Sequence, residues 1–261
     1  MKPAGVKLAA ASITKRFADG VEALAGVSIE LREGEFCSIV GPSGCGKSTL
    51  LGILAGLIAP TSGSVLLDGE VPPGGLLGRI GYMPQRDLLM QWRTTLENAT
   101  VGLELAGVAR AEAQQRALAQ IPRFGLAGFE HRRPSALSGG MRQRAALLRT
   151  FLAGRDVLLL DEPFGSLDAL TREAMQEWLL GVWETDRKTI LLVTHDVEEA
   201  VFLSDRVYVM SGRPGAIRAT LEVPMARPRS LELTATVQFA ALREELLAPL
   251  REEARAALGA V

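Results

Sequence analysis

The most informative segment of this chain is Gly41-Pro42-Ser43-Gly44-Cys45-Gly46-Lys47-Ser48. It fits the pattern of a glycine, four further residues and then Gly-Lys-Ser, which marks a phosphate-binding loop. A short apolar run over residues 36–40, typical of a buried strand, precedes the loop, and a helical pattern over residues 47–57 follows it. A strand that leads through such a loop into a helix predicts an α/β fold of the P-loop NTPase class.

The residue types of this loop suit the phosphates of ATP. Its glycines let the backbone bend and point N–H groups inward, and the start of the helix adds partial positive charge. Lys47 places a full charge between the β- and γ-phosphates, the Ser48 hydroxyl can ligate Mg²⁺, and Thr49 can support it. We therefore predict that residues 41–49 bind ATP, with Mg²⁺ as the companion ion.

A P-loop needs an acidic partner, and Asp161-Glu162 supplies one directly after the apolar run 157–160. Asp161 is placed to hold Mg²⁺ through water. Glu162 is one residue further, so it should project to the other side at the end of the strand. There it can act as the general base that takes a proton from the attacking water.

Composition bounds the class of protein. The chain has 261 residues, of which 48% are apolar, enough for the core of one large α/β domain. Its formal net charge of -1 argues against nucleic acid as a partner. The longest apolar run, residues 50–59, is about half the roughly 20 residues that a membrane-spanning helix needs, and no signal peptide is evident. If this protein takes part in a membrane process, we expect it to act from the membrane surface.

The two cysteines, Cys37 and Cys45, are close in sequence and do not form a disulfide framework. They fit a reducing compartment. Because Cys45 lies inside the phosphate loop, we expect a bulky thiol reagent to block ATP binding and ATP to protect the thiol. The alternative is that Cys45 is simply a small residue that reagents reach poorly.

Periodicity divides the chain into three parts. Strand patterns at 6–13, 21–31, 65–67, 80–83, 157–160, 189–193 and 207–210, with a helix at 169–182, predict a nucleotide-binding core at about 1–93 and 153–225. Helical spacing at 95–128 and 138–152 predicts an inserted helical subdomain at about 94–152. Beyond Gly212 three prolines break the pattern. Apolar residues at helical spacing from Phe239 then predict a C-terminal helical extension at about 226–261, with a kink or restart at Pro249.

A second glycine-rich phrase, Leu137-Ser138-Gly139-Gly140-Met141-Arg142-Gln143-Arg144, lies shortly before the acidic strand. Its residue types predict a serine N-cap, two glycines and a helix start, which is another anion site. The phrase resembles the signature motif of the ABC ATPase family, with Met141 where glutamine is usual. The resemblance implies that Ser138, Gly139 and Gly140 contact ATP.

Four further motifs of that family are present along the chain in the expected order. Gln85, in Tyr82-Met-Pro-Gln85, resembles the Q-loop glutamine, which implies contact with Mg²⁺ and with the attacking water. Ser166-Leu-Asp168 resembles the D-loop, and His195 resembles the switch histidine, a catalytic residue. Phe17 occupies the place of an aromatic residue that stacks on adenine; alternatively it is a core residue at a strand end.

Taken over nearly the whole chain, the resemblance implies a single ABC ATPase domain, residues 1–261. Its fold would be a RecA-like parallel sheet with an antiparallel β subdomain and an inserted α-helical subdomain. It also implies that two subunits, as a homodimer or a paired cassette, face each other head to tail. Each ATP would lie between the P-loop of one subunit and residues 138–140 of the other. Closure of the two subunits around ATP would be the power stroke, and hydrolysis would separate them again.

A free-standing cassette of this kind most resembles the ATPase subunit of a bacterial ABC importer. Only about fifty residues separate Gln85 from Leu137, too few for the long coiled coils of chromosome-type relatives. The implied partners are two transmembrane permease subunits and, indirectly, an extracytoplasmic binding protein, with the chain peripheral at the cytoplasmic face of the plasma membrane. The alternatives are a soluble ABC ATPase acting on a macromolecule and a catalytically silent scaffold.

The segment 85–98 narrows the branch. It resembles importers of nitrate, sulfonates and taurine, with Met90-Gln91 in place of the usual Leu-Pro, and similar cassettes handle riboflavin and pyrimidine-type vitamin precursors. Four apolar residues here either dock a permease helix or pack inside the helical subdomain: Leu88, Leu89, Met90 and Trp92. Arg227-Pro-Arg229 and the helix after it also resemble this branch. The apolar face from Phe239 to Leu258 either packs on the core or pairs with the other subunit.

Overall fold

The computed structural model describes residues 5–259, and it contains two β-sheets. Strands alternate with helices along most of the chain, as the sequence predicts. The strands are β1 (Val6–Arg16), β2 (Glu22–Arg32), β3 (Phe36–Val40), β4 (Ser62–Leu67), β5 (Gly81–Met83), β6 (Val157–Asp161), β7 (Thr189–Val193), β8 (Arg206–Met210) and β9 (Ile217–Glu222). The helices are α1 (Lys47–Leu54), α2 (Thr95–Leu105), α3 (Arg110–Gln120), α4 (Gly139–Leu152), α5 (Ala169–Asp186), α6 (Val197–Leu203) and α7 (Val237–Gly259).

The larger sheet has the strand order β5-β6-β7-β3-β8-β9. Its first five strands are parallel, and β9 pairs antiparallel with β8 at the edge. Because the carboxyl ends of parallel strands meet at one edge of a sheet, the loops after β3, β5, β6 and β7 converge there. Those four loops carry the P-loop, Gln85, Glu162 and His195, so topology assembles the predicted site.

The central strands are buried on both faces, which explains their continuous apolar runs. In β6, Leu158 and Leu160 belong to a core cluster with α4, α5, α6 and α7. Their neighbours Val157 and Leu159 belong to a second cluster with α1 and the smaller sheet. The smaller sheet is antiparallel, in the order β2-β1-β4, and it covers the P-loop side of the larger sheet. The predicted α/β fold with an antiparallel β subdomain is confirmed.

The predicted helical insertion is formed by α2, α3 and α4. A capping box begins α2: the Thr94 side chain accepts from the Glu97 N–H at 3.2 Å, and the Glu97 carboxylate accepts from the Thr94 N–H at 2.9 Å. Phe124 and Phe151 meet edge to face at 5.5 Å between ring centroids. The aromatic contact joins the middle of the insertion to the end of α4.

Two elements escaped prediction. Helix α6 has seven residues and is capped by Asp196, whose carboxylate accepts from the N–H groups of Glu198 and Glu199. Strand β9 alternates partly buried and exposed side chains as a half-buried edge strand does, yet Pro214 and Pro224 flank it and obscured the pattern. Both elements are short, so their periodicity is weak.

Helix α7 packs on the core, which confirms one of the two alternatives for the C-terminal apolar face. Phe239, Leu242 and Leu246 are buried in the same cluster as β6 and α4. The helix continues through Pro249 instead of restarting after it, since the packed turns before the proline anchor it. Leu258 lies outside the part of the helix whose side chains are described. None of the helices within residues 5–259 has both the length and the apolar character required to cross a bilayer.

Candidate nucleotide-binding site

A cavity of about 480 Å³ opens at the carboxyl edge of the larger sheet. This volume lies within the range of small-molecule sites. The predicted residues that line it are Phe17, Ser43, Gly44, Gly46, Lys47, Ser48, Thr49, Gln85, Glu162 and His195. Val21, Ala23 and Arg213 line it as well, and the sequence did not single them out. The structure therefore brings most of the predicted site together.

The phosphate loop has the backbone geometry that its glycines predict. Gly44 and Gly46 have φ of 76° and 106°, in the left-handed region that favours glycine. A Cβ at Gly46 would lie 2.7 Å from the Ala23 carbonyl oxygen, so any larger residue would displace β2. The Lys47 ammonium donates to the carbonyl oxygens of Gly41 and Pro42 at 2.8 and 2.9 Å. The loop thus holds the Lys47 ammonium group at the floor of the cavity.

Three predicted loop residues shape the loop without lining the cavity. A Cβ at Gly41 would lie 2.8 Å from the Met210 carbonyl oxygen, and Pro42 contributes its carbonyl to Lys47. The Cys45 side chain is 1% exposed and packs in the core cluster behind the loop. This burial favours the alternative, that thiol reagents reach Cys45 poorly, although the Lys47 ammonium lies 3.7 Å from its sulfur. Both cysteines are free and buried.

The residues predicted to hold Mg²⁺ lie together. The Ser48 hydroxyl donates to an Asp161 carboxylate oxygen at 3.4 Å, across the gap between α1 and β6. Asp161 is 3% exposed, and burial raises the pKa of its carboxyl. A hydroxyl beside a buried carboxylate, with the Gln85 amide in the same cavity, is an oxygen set that fits a hard divalent cation completed by substrate phosphates. The residues present therefore fit the predicted ion.

The three predicted catalytic side chains converge although they are far apart in sequence. The Gln85 amide donates to the Glu162 carboxylate at 3.1 Å, and the His195 Nδ1 lies 3.3 Å from the same oxygen. Glu162 has φ of 46°, and its N–H donates to the Val193 carbonyl at 2.8 Å. Strand alternation, on which its direction was predicted, does not apply, because β6 ends at Asp161. A non-glycine residue held in this strained region is typical of functional sites.

Phe17 lies at the mouth of the cavity. Its ring is 38% exposed, so it is not the core residue that the alternative interpretation required. The Lys15 ammonium lies 5.2 Å from the ring centroid. An exposed aromatic face beside a phosphate loop is suited to stacking on a base.

The signature segment lies elsewhere. Ser138, Gly139 and Gly140 are absent from the lining of the cavity, as far as the described residues show. Ser138 is exposed, and its side chain accepts from the Met141 N–H at 3.3 Å as the N-cap of α4, as predicted. Within one chain, these three residues and the P-loop do not share a site.

Of the three lining residues that the sequence did not single out, Arg213 matters most for the chemistry of the cavity, because it is charged. Its Nε and Nη2 donate to the Gly44 carbonyl oxygen at 3.2 and 3.0 Å. The residue follows β8, which neighbours β3 in the sheet, so its loop falls beside the P-loop. An arginine just after a strand was the only signal available, and strand order is not visible in the sequence.

The four apolar residues after Gln85 divide between the two alternatives. Leu89 is buried in the core, whereas Leu88 and Trp92 are 55% and 73% exposed, and Met90 is partly buried. The Arg149 guanidinium donates to the Leu88 carbonyl at 2.8 Å and so ties this segment to α4. The exposed surface is therefore smaller than predicted and centres on Leu88 and Trp92.

Comparison with known proteins identifies the family. A family model described as ABC transporter matches residues 24–165. The formylaminopyrimidine import ATP-binding protein ThiZ of Halalkalibacterium halodurans is 43% identical, over 87% of this chain and 89% of that protein. The taurine import ATP-binding protein TauB of Yersinia pestis is 46% identical, over 76% of this chain and 77% of that protein.

Among solved structures, a dimeric post-hydrolysis state of the ATP-binding cassette MJ0796 bound to ADP and Pi superposes with a TM-score of 0.72 and 30% identity. The match covers 84% of this chain and all of that one. The resemblance to the importer branch that includes taurine systems is confirmed by the curated relatives. With the fold, the cavity and these matches in agreement, this chain belongs to the ABC transporter family.

Proposed function

We propose that this chain binds and hydrolyses ATP as the motor subunit of an ABC importer. The observation that carries the proposal is that Gln85 and His195 each approach the same Glu162 carboxylate oxygen, at 3.1 and 3.3 Å, in the lining of the P-loop cavity. A catalytically silent scaffold has no need for these three side chains in this arrangement. Their convergence supports turnover over simple binding.

Each residue has a role that its position supports. Lys47 and the loop N–H groups bind the phosphates, and Phe17 stacks on the base. Ser48 and Asp161 hold Mg²⁺ with help from Gln85; the ion, when bound, neutralises charge on the transferred phosphoryl group.

Glu162 takes the proton of the attacking water. The Gln85 amide fixes the orientation of that carboxylate by donating to it, and His195 approaches the same oxygen from β7. Because all three side chains belong to loops at one sheet edge, small movements of these loops would switch the site between competent and incompetent geometries.

We also propose that two such chains, identical or paired, act head to tail. The signature residues 138–140 are separated from the cavity within one chain, so they are free to complete the cavity of a second chain. The similar cassette MJ0796 is described as dimeric with ADP and Pi. That likeness supports the dimer for this protein.

The transported substrate belongs to the same proposal. Relatives named for the import of taurine and formylaminopyrimidine support a small sulfonate or nitrate-like anion, or a vitamin or pyrimidine precursor. The exposed Leu88 and Trp92 side chains would contact one of two transmembrane permease subunits. The chain would lie peripherally on the cytoplasmic face, and an extracytoplasmic binding protein would deliver the substrate.

Capture of partners tests the proposal. The tagged chain, expressed in its native host and solubilised with mild detergent, should recover two integral membrane proteins. The Trp92→Ala variant should recover much less of them. The control variant Leu105→Ser, which alters an exposed leucine of the helical insertion, should recover as much as wild type. Recovery of ribosomes or DNA without membrane proteins would instead favour an ATPase that acts on a macromolecule.

A further inference from the structure

Arg213 presents an unused cationic group to the nucleotide cavity. Its guanidinium has five N–H donors, and two of them donate to a single acceptor, the Gly44 carbonyl oxygen. Within residues 5–259 no carboxylate lies at ion-pair distance from it. An arginine that lines a cavity without an acidic partner retains charge and donors for an anionic ligand.

The loop that carries Arg213 is fixed against two walls of the cavity. The Gly215 N–H donates to the Ala23 carbonyl, and the Ala25 N–H donates to the Gly215 carbonyl, both at 2.9 Å. A Cβ at Gly215 would come 2.2 Å from the Cys45 carbonyl oxygen, so only glycine permits this approach. Arg213 is therefore attached to β2 and to the P-loop, and its position does not depend on a flexible tether.

The charge of the cavity supports a phosphate contact. Lys47 shares its ammonium with the carbonyls of Gly41 and Pro42 at the floor. Glu162 contributes a carboxylate to the same lining. Arg213 sits beside the outer turn of the phosphate loop, where it can offset the repulsion between the polyphosphate and that carboxylate.

The C-terminal helix grips the same loop. The Glu253 carboxylate of α7 accepts from the Gly212 N–H at 2.9 Å and from Arg218 Nε at 3.0 Å. Gly212 is the neighbour of Arg213, and α7 is anchored on the core by Phe239 and Leu246. A chain of contacts thus runs from α7 to the phosphate loop.

We propose that Arg213 binds a phosphate of the nucleotide and that Glu253 positions it, so that the C-terminal helix sets the nucleotide affinity of the site. The proposal rests on the function proposed above, because it assigns both residues to that same ATP cavity. Arg213 would touch the ligand, whereas Glu253 would act through the Gly212 backbone.

The first test is ATP titration of the purified full chain by calorimetry at low salt. Arg213→Gln should weaken ATP binding about five- to tenfold, since a charge-assisted hydrogen bond is lost. Arg213→Lys should recover part of the affinity, and the deficit of Arg213→Gln should shrink at high salt. Arg110→Gln, which removes the same charge from α3, is the control and should bind as wild type.

Arg213→Gln also separates ligand binding from loop support. A glutamine amide can still donate to the Gly44 carbonyl, so a residue that only braces the loop would tolerate this change. Wild-type affinity in Arg213→Gln would therefore overturn the proposal. Lys47→Ala serves as the reference: if Lys47→Ala also bound ATP normally, the proposed ATP site itself would fail, whereas loss in Lys47→Ala alone would reject only Arg213.

The link to the C-terminal helix is tested by a double-mutant cycle. Glu253→Ala should weaken ATP binding about two- to threefold in the wild-type background and should have no further effect in Arg213→Gln. Glu252→Ala, which changes the exposed neighbouring glutamate of α7, should leave affinity unchanged. Equal losses from Glu253→Ala in both backgrounds, or no loss in either, would overturn the positioning role.

Discussion

The P-loop and the signature segment are built alike but have different surroundings. Each is a glycine-rich turn that opens a helix, α1 in one case and α4 in the other. Around the P-loop, the sheet gathers Lys47, Glu162 and His195 into the lining of one cavity, and Asp161 contacts Ser48 beside it. By contrast, Ser138 is exposed and Gly139 and Gly140 are half-buried, and none of the three is among the described residues that line this cavity.

If two chains act head to tail as proposed, one chain holds half of a site. The P-loop half has Lys47, Asp161 and the proposed base Glu162, so it can bind a nucleotide alone. The signature half offers N–H groups and a helix N-terminus but has no ligand to meet within its own chain. A nucleotide bound at the first would acquire its second wall only from another copy. The predictions that follow test each half in turn.

The largest effect should come from the assembled half. Glu162→Gln removes the proposed base but keeps an oxygen that accepts from the Gln85 amide. ATP hydrolysis should fall at least about a hundredfold, whereas ATP affinity should change little. Phosphate release and ATP titration would measure the two, and size-exclusion chromatography should show ATP-bound dimers that persist.

The matched control for this change is Glu177→Gln, at an exposed glutamate of α5, which should hydrolyse ATP as wild type does. Hydrolysis near the wild-type rate in Glu162→Gln would show that the base is another group. The assembled half would then be a binding site whose chemistry lies elsewhere.

A change in the signature half should also lower hydrolysis without weakening ATP binding by the isolated chain. Gly139→Asp adds a carboxylate at the start of α4, where the helix dipole favours negative charge. There is room for the side chain, because a Cβ at residue 139 would lie 3.7 Å from its nearest neighbour, an atom of Leu167. Hydrolysis should fall about a hundredfold because the charge repels phosphate across the dimer. ATP binding to the isolated chain should stay unchanged, since residue 139 does not line its cavity. Ala127→Asp, an exposed change in the same insertion, should be silent, and weaker ATP binding by the Gly139→Asp monomer would break the comparison.

A smaller effect concerns the buried Glu199, which lies in the helix that follows His195. Glu199 of α6 is buried, and burial together with the nearby Asp196 carboxylate raises its pKa to about 8. Thr194, Gln176 and Arg172 only partly offset this. Because the folded-state pKa lies above the unfolded value, the folded chain keeps the proton. Stability is therefore full below about pH 4.5 and declines as pH rises towards 8.

Glu199→Gln carries no proton to lose, so its stability relative to wild type should increase with pH. We expect a gain of about 1–3 kcal/mol between pH 5.5 and pH 8.5, measured by urea unfolding at both values. Glu198→Gln, the exposed neighbour, should show no such trend. A constant difference across pH would mean that Glu199 is ionised in the folded chain.

Sequence alone was sufficient where a motif and its flanking elements agree. Residues 36–48 predicted the strand, the loop and the helix of the phosphate site because apolar periodicity and glycine spacing are local properties. The order of strands is not local. It explains both the convergence of Gln85 with His195, which only the family resemblance anticipated, and the position of Arg213, which nothing anticipated.

The errors have the same origin. The Cys45 thiol was expected to be open to a bulky reagent, yet its side chain is buried in the core. Leu89 and Trp92 look equivalent in the sequence, but one packs inside and the other is exposed. Direction of a side chain in a turn depends on backbone angles that tertiary contacts set, as the φ of Glu162 shows.

Complementation between two inactive chains tests the central claim most directly. Lys47→Ala lacks a working P-loop, and Gly139→Asp lacks a working signature, so each alone should hydrolyse almost no ATP. In a head-to-tail hybrid, the P-loop of the Gly139→Asp chain meets the signature of the Lys47→Ala chain, and one intact site results. An equimolar mixture should therefore recover up to about a quarter of the wild-type rate, because half of the dimers are hybrids with one of two sites restored. A mixture that forms dimers yet hydrolyses no more ATP than its separate components would contradict the shared site.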